Sequence, residues 1–258
     1  MRLVVNLEQR KKVSLVNSYL MTDKGLARNN NQDDVLGVVK ENGDSLFVLC
    51  DGMGGHIGGA IACKKCINIF KKDFNKSKYS NADEAKEWLY KTILKANKEI
   101  ISAGNKDASL KGMGTTVVCL LISKEFKVYA SVGDSRLYSY NKKSFNQISE
   151  DQTFAAALYK AGYINKKEAK NHPRRSMLLC AVGSAPNAAL DVQVKEVIGN
   201  DNYLLCSDGL YNMVEDNRIK KILDEDISIK DKVDKLINEA NDNGGFDNIS
   251  VILLEVNA

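Results

Sequence analysis

The chain has 258 residues, 44% hydrophobic and 27% charged, the composition of a globular protein that can bury a sizeable core. Its 37 basic and 33 acidic side chains leave a net +4 spread along the sequence, too diffuse for a nucleic-acid binder. No apolar run approaches the roughly 20 residues that span a bilayer, and the charged start (Glu8, Arg10, Lys11, Lys12) excludes a secretory signal, so a cytoplasmic protein without membrane insertion is expected.

Residues 1–12 read as an N-terminal extension, disordered or a start-site extension, and 13–258 as one domain. Strands are expected over 13–20, 35–39 and 45–50, short apolar runs bounded by Gly, Asn and Asp. A helix follows over 59–74. Asn81 to Glu84 reads as a capping box, and the helix it opens sets Ala85, Trp88, Leu89, Ile93, Ala96 and Ile100 on one face. Strands return at 115–122, 127–132 and 136–140. From 151 to 183 the pattern breaks into short helical pieces interrupted at His172-Pro173. Strands are expected at 191–197 and 203–206, helices at 215–223 and 229–240, and a last strand at 249–256. Grouped strands with paired helices point to α+β with antiparallel sheets. The doublets Lys64-Lys65, Lys71-Lys72 and Arg174-Arg175 read as solvated helix faces.

Of six cysteines, Cys50, Cys119 and Cys206 sit in strand-like runs as small hydrophobes. Cys63 and Cys66 form a C-x-x-C. With no second C-x-x-C or paired His to complete a tetrahedron, they read as two thiols one turn apart on a helix.

Aspartates recur where strands end. Asp51 follows 46–50, Asp208 follows 203–207, Asp247 enters the last strand, and Asp134 lies between two strands. A rigid sheet can gather such ends, although Asp-Gly pairs are also turn formers. With only two histidines in the chain, carboxylates suit hard ions such as Mg²⁺ and Mn²⁺. Arg28, in a polar loop, is the candidate cation for a phosphate, which the planar guanidinium grips with two bonds. Gly52 to Gly59 fits neither glycine-rich nucleotide motif.

Together these segments resemble the metal-dependent protein phosphatase family, protein phosphatase 2C type, bacterial branch. In family order they are Gly25-x-x-Arg28-x-x-Asn31-Gln32-Asp33, Asp51-Gly52-Met53-Gly54-Gly55-His56, Gly114-Thr115-Thr116 and Gly133-Asp134-Ser135-Arg136. After them come Asn171-His172-Pro173-Arg174-Arg175, Ala181-Val182-Gly183, Ser207-Asp208-Gly209-Leu210 and Gly245-Phe246-Asp247-Asn248. The resemblance implies a four-layer α-β-β-α sandwich, two antiparallel sheets flanked by helix pairs, with a small flap over about 151–183. It implies a serine/threonine phosphoprotein phosphatase. On that resemblance two Mn²⁺ or Mg²⁺ ions would activate a water to attack phosphorus, and a third ion would bind more weakly. Asp51 and the Gly52 carbonyl, Asp208 and Asp247 would be metal ligands, with Asp134 joining Asp208 for the third ion. Arg28 would bind the phosphate, with Asp33, His56 and Asn248 in support. Arg174 and Arg175 would position acidic phosphoprotein loops.

The resemblance further implies a monomer that opposes a Ser/Thr protein kinase and acts on that kinase's substrates. The sequence departs from the family at Gln32, where Glu is frequent, and at Met53, where eukaryotic members have His. Two other purposes for the fold are weaker. A partner-switching phosphatase usually carries an added regulatory domain, and a catalytically silent relative typically loses the ligands that this chain keeps.

Overall fold

The computed structural model describes residues 3–5, 16–199 and 201–256. The chain opens with β1 (Leu3–Val5), β2 (Val16–Asp23), β3 (Asp34–Val39), β4 (Ser45–Cys50) and the short β5 (Gly52–Met53). Helices α1 (Gly55–Phe74) and α2 (Ala82–Lys106) precede β6 (Gly114–Thr115), β7 (Val117–Ile122), β8 (Lys127–Val132), β9 (Arg136–Asn141) and β10 (Ser144–Gln147). Then come α3 (Phe154–Lys160), α4 (Lys166–Lys170), β11 (Gln193–Glu196), β12 (Asn202–Cys206), α5 (Asp208–Tyr211), α6 (Asp216–Leu223), α7 (Ile229–Asp242) and β13 (Ile249–Val256).

Two antiparallel sheets form the centre. One has the order β1-β2-β13-β12-β9-β10 and the other β11-β8-β7-β4-β3. An antiparallel sheet often leaves one face wet, but here the central strands are apolar on both faces. In β7, Val118, Leu120 and Ile122 join the core between the sheets, while Val117, Cys119 and Leu121 meet the helices. In β12, Tyr203 and Leu205 face the other sheet, and Leu204 and Cys206 face helices. Helices α1 and α2 cover one sheet and α5, α6 and α7 the other. The result is the four-layer α-β-β-α sandwich of an α+β fold.

Several local expectations shift. The strand expected over 115–122 is split at Thr116, whose N–H donates to the Asp51 carbonyl (2.8 Å) and whose Oγ1 accepts from the Asp51 N–H (3.1 Å). Asn81 caps α2 by accepting from the Glu84 N–H (2.9 Å), but the Glu84 carboxylate accepts from Ser80 N–H instead of Asn81. The reciprocal capping box forms at Asn165 and Glu168. Strand β10 and helix α5 were not expected from the sequence. Leu3–Val5, inside the segment read as an extension, pairs with β2; residues 1–2 and 6–15 lie outside the described residues.

Leu205 is fully buried between the sheets, whereas Val39 is 40% exposed at a strand end. Leu205→Ala should lower the unfolding free energy by about 2–5 kcal/mol, and Val39→Ala by well under half of that. Equal losses in urea denaturation would mean that the inter-sheet layer is not the main core.

Candidate active site

One edge of the sandwich carries a cleft of about 700 Å³, lined by Arg28, Asp51, Gly52, Asp134, Asp208, Asp247 and Asn248 among others. Each acidic side chain sits where a strand stops. Asp51 ends β4, Asp134 lies in the turn between β8 and β9, Asp208 opens α5 after β12, and Asp247 precedes β13. Adjacency of β12 and β13 in one sheet, and of β4 and β7 in the other, gathers these ends from distant parts of the chain.

Below the cleft lies Asp33, buried at 8% exposure. Its Oδ2 accepts from Ser207 Oγ (2.8 Å) and Ser250 Oγ (2.7 Å), while its Oδ1 is buried without a partner. Asn248 organises the loop that carries Arg28. Its Oδ1 accepts from Gln32 N–H (2.8 Å), and its Nδ2 donates to the carbonyls of Lys24 (2.8 Å) and Asn30 (3.0 Å). Two glycines permit this closeness. A Cβ at Gly25, which has φ 75°, would lie 2.1 Å from the Asp247 carbonyl oxygen, and one at Gly209 would lie 2.0 Å from that of Asn248.

The carboxylates repel one another. Burial, then Asp33, Asp208 and Asp134, holds Asp51 well above the usual carboxylate range. Burial, then Asp208 and Asp151, pushes Asp134 up to about 7. Burial, then Asp247, lifts Asp208 to about 6, partly offset by Arg28 and Arg136. Asp33 rises to about 7 because burial outweighs its two hydroxyl bonds. At the cleft rim the Arg28 Nη2 donates to Asp247 Oδ2 at 2.7 Å. That bond raises the Arg28 pKa.

Among the described residues no group of three or more His, Cys, Asp or Glu side chains is close enough to hold an ion unaided. Apart from the Met53 thioether, the ligand atoms that line the cleft are oxygens, with an excess of negative charge, spaced around an open volume. That fits a hard divalent ion, which keeps several waters and uses few carboxylates. The donor set therefore fits Mg²⁺ or Mn²⁺ and does not fit a tetrahedral thiolate or imidazole site.

Some site features were not expected. Tyr211 Oη donates to Asp134 Oδ2 (3.1 Å), and the Arg136 guanidinium lies 3.5 Å over the Tyr211 ring. Arg136 also grips Asp151 with two nitrogens, at 3.0 and 2.7 Å, so Asp134 is braced through a ring and a fork. Ser250 is the signal that was available: a fully buried serine within an otherwise apolar strand. Arg174 and Arg175 stand exposed, with the Arg174 guanidinium 5.4 Å from the Phe154 ring centre; the same segment lines the cleft with Ser176 and Leu178. The His56 side chain lies outside the described residues. Cys63 and Cys66 are buried on α1, one turn apart, as read from the sequence.

Comparison with known proteins agrees with this geometry. A family profile described as protein phosphatase 2C matches residues 26–250. The serine/threonine phosphatase stp of Listeria welshimeri is 38% identical, over 92% of this chain and 94% of that protein. Protein phosphatase PhpP of Streptococcus pneumoniae is 34% identical, over 92% of this chain and 96% of its own length. The solved structure of serine/threonine phosphatase Stp1 from Staphylococcus aureus superposes with a TM-score of 0.88 at 33% identity, covering 98% of this chain and all of that one. A profile match over most of the chain, full-length relatives and a shared fold agree, and the chain belongs to the protein phosphatase 2C family.

Proposed function

We propose that the protein is a metal-dependent phosphatase that hydrolyses phosphoserine and phosphothreonine in proteins. The observation that carries this reading is the cleft itself, with four carboxylates and one arginine facing the same water-accessible volume. Asp51 with the Gly52 carbonyl, Asp208 and Asp247 would hold two Mn²⁺ or Mg²⁺ ions, and Asp134 with Asp208 a third. Such ions acidify water and neutralise charge on a phosphoryl group.

The chain's own residues supply positioning. Arg28 is 56% exposed in its side chain and paired with Asp247 at the rim. A pair that open is worth little in water, so Arg28 is free to turn its fork onto the phosphate oxygens. Asn248 fixes the Arg28 loop from both sides, which limits the entropy lost when phosphate binds. Asp33 fixes the ends of β12 and β13 through Ser207 and Ser250. No cysteine serves as nucleophile: all six are buried and none lines the cleft, and burial raises the thiol pKa of Cys50, Cys63, Cys119, Cys180 and Cys206. The counterpart enzyme is a Ser/Thr protein kinase, whose substrates this phosphatase would restore.

Hydrolysis of a phosphothreonine peptide should appear when metal-stripped protein is given Mn²⁺ and be absent in Asp208→Ala. Arg28→Ala should lower kcat/KM by about 100-fold, the usual size of losing one charged contact to the transition state. A folded wild type that binds Mn²⁺ and turns over no phosphopeptide contradicts the reading, and an unchanged Arg28→Ala removes Arg28 from it. A second expectation concerns pH. Asp33, Asp134 and Asp208 have folded pKa values of about 7, 7 and 6 against an ordinary 3.8. Between those limits the folded state holds more protons than the unfolded one, so stability falls as pH rises. The Tm of metal-free protein should therefore drop from pH 5 to pH 8, and Mn²⁺ should raise Tm more at pH 8 than at pH 5. A metal-free Tm that is flat or climbs over this range contradicts the electrostatics.

A further inference from the structure

The net +4 reads as diffuse only when taken over the whole chain: charge is divided unevenly between the two helical layers. Residues 55–111, which form α1, α2 and their flanks, carry twelve lysines, no arginine and six carboxylates, a net +6. Residues 208–242, which form α5, α6 and α7, carry ten carboxylates and six basic side chains, a net −4. On the basic layer Asp73 pairs with Lys95, Asp83 with Lys86 and Glu87 with Lys91. Among the described residues that leaves nine lysines without an ion pair. Lys64, Lys71 and Lys72 recur at helical spacing along one exposed face of α1. The Lys95–Asp73 bridge at 2.8 Å brings α2 against this face, where Lys76, Lys91 and Lys95 rim a shallow depression of about 310 Å³.

We propose that this outer face is a docking surface for an anionic lipid bilayer, holding the enzyme peripherally without insertion. The side-chain chemistry favours a bilayer over an acidic protein. Protein interfaces enrich arginine and aromatic anchors and deplete lysine. Here arginine is absent, and the large aromatic, Trp88, is engaged with Phe70, Phe74 and Tyr79 at 5.9 to 6.5 Å between ring centres, which leaves Tyr90 on α2 as the exposed aromatic among many lysines. Lysines are hydrated point charges without fixed bonding geometry, suited to headgroups that diffuse to meet them and that contribute nearly independently. The opposite layer is repelled by the same surface, so the molecule docks in one orientation. Lys64 to Lys72 lie about 14 to 26 Å along α1 from its start beside the cleft, so docking leaves the cleft open at the edge of the sandwich.

The test is co-sedimentation of the full chain with vesicles of phosphatidylglycerol in phosphatidylcholine and with vesicles of phosphatidylcholine alone. Wild type should bind the anionic vesicles, release in high salt and ignore the neutral ones. The triple variant Lys64→Glu, Lys71→Glu, Lys72→Glu should partition about 100-fold less. Lys221→Glu, Lys230→Glu, Lys235→Glu makes the same change in net charge on the opposite layer and should retain most binding. Circular dichroism and hydrolysis of a soluble phosphopeptide, unchanged in both triples, show that each is folded. Absence of wild-type binding to anionic vesicles overturns the proposal. Equal loss in the two triples also overturns it, because net charge alone would then explain binding. Retention on polyglutamate without vesicle binding overturns it in favour of an acidic protein.

Discussion

Asp33 accepts hydrogen bonds from Ser207 and Ser250 beneath the cleft, and these two contacts tie together three segments that are remote in the sequence. Ser207 is followed by Asp208, Ser250 lies three residues after Asp247, and Asp33 closes the loop that carries Arg28. Four carboxylates crowd the cleft above this knot, and burial first, then repulsion from neighbouring aspartates, raises the pKa values of Asp51, Asp134 and Asp208. The sandwich opposes this cost with a core that is apolar on both faces of the central strands, where single buried side chains contribute a few kcal/mol each. The cleft is thus a place where the fold stores unfavourable charge, which a bound metal ion would relieve.

The rest of the site follows from that knot. Asn248 commits both of its side-chain N–H groups and its Oδ1 to the Arg28 loop, with three bonds to backbone groups. Gly25 and Gly209 exist because the loop and the start of α5 approach Asp247 and Asn248 more closely than a Cβ allows. Asp134 has a separate support. Tyr211 and Arg136 hold it from the side of β9, through contacts that also anchor Asp151 at the entry to the 151–183 segment.

Much of this was legible in the sequence, because apolar runs with clean ends report strands directly. The strands at 45–50, 127–132 and 249–256 fall where the runs fall, and the buried face of α2 follows the 3.6-residue period. The strand-end aspartates stood out for the same reason. What the sequence could not specify is which ends meet, since that depends on strand order. The bond between Arg28 and Asp247 joins residues 219 apart, and that between Tyr211 and Asp134 joins residues 77 apart. Strand β10 is polar and short, so it carries no periodic signal. The Glu84 carboxylate turns to Ser80 instead of Asn81, a choice of rotamer that no residue pattern encodes. Ser176 and Leu178, not the neighbouring arginines, reach the cleft because the segment turns between them.

The most direct test of stored charge at the cleft is Mn²⁺ titration calorimetry on metal-free protein at pH 6.5, repeated in two buffers of different ionisation heat. If Asp134 and Asp208 titrate near 7 and 6 because burial and neighbouring aspartates disfavour their charged forms, Mn²⁺ must displace protons to bind, and the two buffers will report release of about one proton or more per protein. Asp208→Asn should weaken binding and reduce that release. Tight binding with no proton release would contradict the account, because it would mean that the cleft carboxylates are already ionised and do not repel one another as their burial and spacing require.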